Sequence, residues 1–242
     1  MEGPTGMTGA KPVIGILGAG RFGMVLARLA SSAGYRVLIA GSGEPKRIAL
    51  PRDVVAHGVV ATTAAAAAEQ AEIVVLALPL SKYRGIPAHP LRGKLVIDAM
   101  NYWWTADGIL AEFTDPLASS SEVVQRHLSA SRVVKAFNHM GYTDLEDEAR
   151  PSGQADRKAI GVAADYADDL DLVAGIVDDL GFDPVRVGRL ADGVTLEPGT
   201  EPFGADVDAA ELQAMIDRFP RSQRGLRRAA AMAARSSPES AE

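Results

Sequence analysis

Three glycines, Gly18, Gly20 and Gly23, stand at the spacing G-x-G-x-x-G between an apolar run and the start of a helical pattern. Residues spaced in this way bind phosphate through the backbone, without any help from side chains. Gly18 permits a tight turn. Gly20 has no Cβ, so a pyrophosphate can come close to the chain, and Gly23 lets the next helix pack against the strand. A helix opening at Arg21 offers free N–H groups and a partial positive charge to the phosphates. With Ala19, Arg21 and Phe22 between the glycines, Gly18 to Gly23 is the candidate pyrophosphate loop. The competing reading is a glycine turn in some other βα unit. The strand before and the helix after, both readable, weigh against it.

The nucleotide's second landmark lies at the end of the second strand, where an Asp or Glu normally holds the ribose 2′-hydroxyl. Here that strand ends Ile39-Ala40-Gly41-Ser42-Gly43, and no carboxylate occupies the position of Ser42. Lys46 and Arg47 follow. A hydroxyl and two cations suit a 2′-phosphate, so NADP(H) is the expected cofactor. Glu44 runs the other way: it either points away from the site or selects NAD. The structural alternative for Lys46 and Arg47 is a pair of surface charges opening a helix.

Ligands of such sheets bind beyond the carboxyl ends of the strands. The fourth strand ends at Leu78-Pro79, a candidate apolar wall beside the nicotinamide ribose. The fifth ends at Asn101 and the sixth at Asn138, two amides able to hydrogen-bond cofactor or substrate, although Asn is also a common turn residue. His139 is the only histidine at a predicted strand end. With an ordinary pKa near 6.5 it is a candidate proton donor or acceptor. Both tryptophans, Trp103 and Trp104, follow Tyr102 in one strand-end loop. Adjacent side chains of an extended segment point opposite ways, so one can face a flat aromatic substrate while the other packs. Core packing of both is the alternative. Asp144, Glu146, Asp147 and Glu148 read as a solvated helix face. No metal-ligating cluster or nucleophile elbow is present.

The elements that must position these residues alternate. Strands are expected at residues 13–17, 36–40, 59–61, 73–78, 95–99, 132–137, 158–163 and 185–187. Helices are expected after Gly20, over Pro45–Val55, over Thr63–Gln70, after an N-cap at Asp165, and over Asp208–Phe219. Such alternation implies an α/β, Rossmann-type, doubly wound and mostly parallel sheet with right-handed crossovers. The expected division is a flexible leader over 1–11, the dinucleotide-binding domain over 12–190, a small C-terminal appendage over 191–220 and a tail over 221–242. The five arginines of the tail fit either an arm helix that grips a second subunit or, preferably, a solvated, partly frayed end.

Bulk composition narrows the function classes. The net charge of −6 disfavours a nucleic-acid partner. The absence of cysteine excludes disulfides, thiol nucleophiles and thiolate metal sites, and makes a reducing cytoplasm the natural setting. Apolar runs are too short for a membrane span.

The segments Ile14-Gly-Ile-Leu-Gly-Ala-Gly-Arg-Phe-Gly23, Gly41-Ser42, Ile73 to Leu80, Val134-Lys-Ala-Phe-Asn138 and Asp179-Leu-Gly-Phe-Asp-Pro184 together resemble the coenzyme F420-dependent NADP oxidoreductases, in particular a bacterial subgroup. The resemblance runs over roughly residues 12 to 220. It implies a Rossmann domain with a small C-terminal appendage, hydride transfer between NADPH and the deazaflavin F420, and a homodimer. Family members often carry Ser-Arg after the second strand with a lysine further on. Ser42 and Lys46 match, Gly43 stands at the arginine position, and Arg47 is a candidate substitute. Three functions remain open at this point. The first is an NADP(H)-dependent oxidoreductase acting on a small flat acceptor such as F420. The second is an NADPH-dependent reductase of imines, carbonyls, quinones or ferric chelates, with His139 as proton donor. The third is a non-catalytic NADP(H)-binding sensor.

Overall fold

The structure is a computed structural model that describes residues 11–51, 55 and 57–236. Eight strands form one sheet: β1 (Ile14–Leu17), β2 (Val37–Ala40), β3 (Val60–Ala61), β4 (Ile73–Leu76), β5 (Leu95–Asp98), β6 (Arg132–Lys135), β7 (Ala159–Ala164) and β8 (Asp183–Gly188). Their order is β3-β2-β1-β4-β5-β6-β7-β8. Every pairing is parallel except β6 with β7. β1, β2, β4 and β5 are buried at every position. This is why these strands read as unbroken apolar runs rather than alternations.

Alternate residues of each strand serve two layers. Ile14, Ile16, Ile39, Val75 and Ile97 face one side, where Val25, Leu26 and Ala30 of α1 (Arg21–Ser32) and Val173, Ile176 and Val177 of α6 (Ala167–Asp179) cover them. Leu17, Leu38, Val74, Leu76 and Val96 face the other side, under Ala67 and Ala68 of α2 (Ala64–Gln70) and Val123 and Val124 of α4 (Ser120–His127). Each fully buried aliphatic side chain contributes about 1.5–3 kcal/mol. The two layers are therefore the main source of stability, and they hold the strand ends fixed. Short helices α3 (Trp104–Asp107) and α5 (Tyr142–Asp147) follow β5 and β6. α7 (Ala209–Arg218) packs Leu212 and Ile216 on Ala159 and Val185 of the last two strands. Pro184 is accommodated because β8 is an edge strand.

Polar contacts set the helix ends. Thr63 Oγ1 accepts from Ala66 N–H at 3.1 Å at the start of α2. At its other end, Lys94 Nζ donates to the carbonyls of Ala68, Glu69 and Ala71 at 2.6–2.7 Å, a charged cap on the negative end of the helix. Gly34, with φ +86°, ends α1.

Several expectations need correction. The N-cap of α6 is Tyr166, while Asp165 Oδ1 accepts from Leu190 N–H at 3.2 Å instead. The helix expected over Pro45–Val55 is not continuous: a 3-10 turn at Pro45–Arg47 gives way to irregular chain over 48–51, and Val55 is again helical, its N–H donating to the Pro51 carbonyl at 3.1 Å; residues 52–54 and 56 lie outside the described residues. β7 runs antiparallel to β6, a reversal that alternation of elements did not signal. Of the tail, for which a solvated, partly frayed end was the preferred expectation, residues 223–236 form α8 (Gln223–Ser236), which is largely exposed. Arg224 anchors this helix through Glu197 and the Pro198 carbonyl. Residues 1–10 of the expected leader and 237–242 of the tail lie outside the described residues.

Candidate active site

The phosphate turn has the geometry that its glycines call for. Gly18 adopts φ +131°, and a Cβ there would stand 2.0 Å from the Ala77 carbonyl oxygen of the neighbouring β4 end. A Cβ on Gly23 would stand 1.8 Å from the Gly18 oxygen. Glycine is therefore required at both positions by the protein's own packing. Gly20 differs: a Cβ there would meet nothing within 4 Å. The space in front of Gly20 is open, and its ordinary φ of −79° demands no glycine. Nothing in the packing or backbone conformation of the protein itself demands glycine at this position. Gly20 is also the N-cap of α1, and no side chain caps that helix or places an acid in its first turn. The opening amides of a twelve-residue helix are thereby left to an anion.

A cleft of about 920 Å³ opens over this turn. Its floor is Leu17, Gly18, Ala19 and Gly20 of the β1–α1 turn. One wall is the β2 end, with Ser42, Glu44 and Arg47; the facing wall follows β4, with Leu78, Pro79 and Lys82. Ile48 and Ile86 add apolar surface on the two walls. The fit to a dinucleotide is thus one of shape and charge: glycine floor, apolar sides, cations at both flanks.

The predicted residues divide around this cleft. Gly18, Ala19, Gly20, Ser42, Arg47, Leu78 and Pro79 all line it. Lys46 does not, although it precedes a residue that does. The reason is the 3-10 turn, in which residues three apart lie over one another, so Glu44 and Arg47 share a side and Lys46 falls between. Arg47 Cδ lies 3.8 Å from where a Cβ of Gly43 would be. The arginine stem therefore passes over the missing side chain of Gly43. Arg21 turns outward, donating to Tyr142 Oη at 2.9 Å, so only its backbone faces the turn. Phe22 packs against the core, and Gly23 is buried. Met24 and Lys82 are cleft residues that the sequence reading did not place there, and of the two alternatives for Glu44 the structure favours the one at the cleft.

Further along the crevice, Asn101 and Asn138 come together. Asn138 Nδ2 donates to Asn101 Oδ1 at 3.0 Å and to the Leu196 carbonyl at 2.6 Å, while Asn101 Nδ2 donates to the Asn138 carbonyl at 2.7 Å. Neither amide lines the cleft. Asn101 is half-buried and Asn138 is buried, with its Oδ1 unpartnered. They form a cross-tie between the β5 and β6 ends. Phe137, just before it, is the one non-glycine residue with positive φ (65°) among the described residues, and its ring is buried. Such a conformation persists only where the surroundings impose it.

Behind the tie sits a charged network that the sequence reading missed. Lys135 and Asp98 are fully buried register partners on β6 and β5. Lys135 Nζ lies 3.3 Å from Asp98 Oδ2 and donates to the Met100 carbonyl at 2.7 Å. Ser121 Oγ donates to Asp98 Oδ2 at 2.6 Å, and Met100 N–H to Asp98 Oδ1 at 3.0 Å. The signal was available: each strand ends its apolar run on a lone charge, of opposite sign. Only the strand register, which sequence does not display, shows that they meet.

His139 does not reach the crevice as a proton donor. It is buried, its Nε2 accepts from Gly161 N–H at 3.0 Å, and burial pushes its pKa down to about 4. The imidazole is neutral at physiological pH, and its acceptor nitrogen is committed to β7. Its role here is to join β6 to β7.

The tryptophans do not share an extended loop, since Trp103 is the N-cap of α3 and Trp104 its first residue; both are exposed and neither lines the cleft. Trp103 packs edge-on to Phe203, with ring centroids 5.4 Å apart, whereas Trp104 is 67% exposed. Asp107 staples this loop to the cleft wall: Oδ1 accepts from Ser81 N–H at 3.1 Å and Oδ2 from Trp103 N–H at 2.9 Å. Ser81 follows Pro79 and Leu80 directly, so the Trp loop and the β4 end form one rim.

Comparison with known proteins finds similarity in this region. Residues 13–102 match the family described as NADP oxidoreductase, coenzyme F420-dependent. That stretch carries the phosphate turn, both cleft walls and Asn101. Among solved structures, the hypothetical protein SMa0349 of Sinorhizobium meliloti is 26% identical, with a TM-score of 0.68 over 81% of this chain and 93% of that one. A protein of Arthrobacter sp. FB24 assigned as an F420-dependent NADP reductase is 25% identical, with a TM-score of 0.63 over 76% of this chain and 88% of its own. The protein YjhV of Escherichia coli (strain K12) is 34% identical over 79 residues, which span 33% of this chain and 56% of YjhV. The resemblance to F420-dependent NADP oxidoreductases thus falls on the segment that builds the cleft. Among the described residues, no group of three or more His, Asp or Glu is placed to hold a metal, and no helix is long and apolar enough to cross a membrane.

Proposed function

We propose that this protein is an NADP(H)-dependent oxidoreductase that passes a hydride between NADPH and a small flat acceptor of the coenzyme F420 class. The observation that carries this reading is the phosphate turn, in which two glycines are required by packing and the third, Gly20, faces open space at the uncapped start of α1. The amides opening α1 would hold the pyrophosphate, and Ser42 and Arg47 the 2′-phosphate. Leu78 and Pro79 would flank the nicotinamide ribose. NADP(H), when bound, supplies the hydride donor or acceptor.

The remaining work falls to positioning. The Asn101–Asn138 tie fixes the strand ends beyond the cleft, and the exposed Trp104 offers an aromatic face for stacking a planar acceptor. Transfer of hydride to a deazaflavin needs alignment and exclusion of water more than an acid or base. With His139 neutral and committed to Gly161, no candidate proton donor identified in the sequence stands at the cleft. That argues against the reductase reading in which His139 is the proton donor; reduction of F420 also takes up one proton (NADPH + H⁺ + F420 → NADP⁺ + F420H2), which solvent would supply.

The test is steady-state oxidation of NADPH by the purified protein with F420 as acceptor. Turnover is expected. Binding of NADPH without turnover of F420 would reject the acceptor class. Absence of NADPH binding would reject the whole reading.

A further inference from the structure

Two groups of opposite charge share one wall of the cleft without neutralising each other. Glu44 is the N-cap of the 3-10 turn and Arg47 its last residue, and both line the cleft. Their backbones are joined by an Arg47 N–H bond to the Glu44 carbonyl at 2.9 Å. Residues three apart in a 3-10 turn lie one above the other. Even so, among the described residues neither side chain makes an ion pair or a hydrogen bond. The turn itself is stiffened by Pro45, whose ring fixes φ. Arg47 lies back over Gly43, leaving the Glu44 carboxylate its own place at the cleft.

A cleft committed to a 2′-phosphate gains from cations and loses from a carboxylate beside it. One committed to a free ribose 2′-hydroxyl has the carboxylate and does not need the arginine. This wall has both, unpaired. We infer that the cleft accepts nicotinamide dinucleotides with and without the 2′-phosphate: the Glu44 carboxylate accepts a hydrogen bond from the ribose 2′-hydroxyl of NAD(H), and the Arg47 guanidinium donates to the 2′-phosphate of NADP(H). Each ligand engages the group that the other leaves to solvent. The inference rests on the reading of the cleft as a nicotinamide dinucleotide site. Both side chains are exposed, so water screens each contact, and each discriminates by roughly three- to tenfold rather than by thousands.

Calorimetric titration of the full chain with NADPH and with NADH tests this without reference to any acceptor. Both nucleotides are expected to bind, with dissociation constants within about tenfold of one another. Glu44→Gln should shift the ratio toward NADPH by roughly three- to tenfold, and Arg47→Gln should shift it a similar distance toward NADH. Both residues sit on an exposed turn, so the variants should fold. A parent protein preferring one nucleotide by more than about a hundredfold would overturn the inference while leaving the cleft reading intact, as would a Glu44→Gln variant with an unmoved ratio. If neither nucleotide bound the parent, the cleft reading would fall along with it.

Discussion

The phosphate turn makes a prediction in which stability and binding separate. Gly20→Ala and Gly23→Ala add the same methyl group three residues apart. At Gly23 the new Cβ would stand 1.8 Å from the Gly18 oxygen. Carbon and oxygen need more than 3 Å, so α1 must move away from β1 by over an ångström or the turn must open. α1 supplies Val25, Leu26, Ala27 and Ala30 to the larger core layer. A cost of about 3 kcal/mol or more is expected, in line with overpacking of a rigid core. At Gly20 the Cβ meets no protein atom within 4 Å and φ is already ordinary. The only stability cost there is the poorer N-cap propensity of Ala, less than about 1 kcal/mol. Binding behaves the other way. The methyl group would occupy the space in front of the uncapped helix and hold a pyrophosphate off the opening amides. Two lost hydrogen bonds to a charged group, at about 1.5–3 kcal/mol each, amount to at least about 3 kcal/mol. That is roughly a hundredfold or more in the dissociation constant. Urea denaturation and calorimetry with NADPH measure the two quantities on the same samples. A Gly20→Ala protein that binds NADPH like its parent would show that no pyrophosphate lies against this turn, whatever the glycine spacing suggests.

Other parts of the molecule give further expectations. Lys135→Met should cost about 3–5 kcal/mol in chemical denaturation, because it leaves the Asp98 carboxylate buried without its counter-charge. The double variant Lys135→Met, Asp98→Asn should recover much of that loss, and additive losses would argue against a coupled pair. His139 has a folded-state pKa near 4 against 6.5 when unfolded, so its contribution is complete above pH 6.5 and declines as pH falls toward 4. The shift corresponds to about 3 kcal/mol. His139→Gln, whose amide oxygen can still accept from Gly161, should flatten that slope in urea midpoints measured across the interval; an unchanged slope would place the titration elsewhere. Trp104→Ala should leave stability within about 0.5 kcal/mol, since the ring is 67% exposed. If the acceptor stacks there, the variant should raise KM for F420 and leave NADPH affinity alone.

What the sequence displayed and what it withheld follow a physical division. β1, the phosphate turn and α1 were legible because every determinant is local: an apolar run, three glycines with local steric jobs, and a helical repeat. The apolar strands and the helices beginning near Thr63 and Asp208 were legible for the same reason. Residues whose meaning depends on a partner far along the chain were not. Asp98 and Lys135 stand 37 positions apart and meet only through the parallel register of β5 and β6. His139 looked available because its strand end faces the crevice in outline, but β7 returns antiparallel beside β6 and brings Gly161 N–H to its ring. A finer case is the β2 loop. Lys46 and Arg47 were equal candidates on composition, and what separates them is three residues per turn rather than 3.6, a difference that composition cannot register. That same turn sets Glu44 beside Arg47, so on the proposal made above the nucleotide preference would depend on a single 3-10 turn whose sequence, Pro45-Lys46-Arg47, reads simply as basic. A substitution that converted this turn to an α-helical one would rotate Arg47 away from Glu44, and would be expected to alter cofactor choice without changing a single charge.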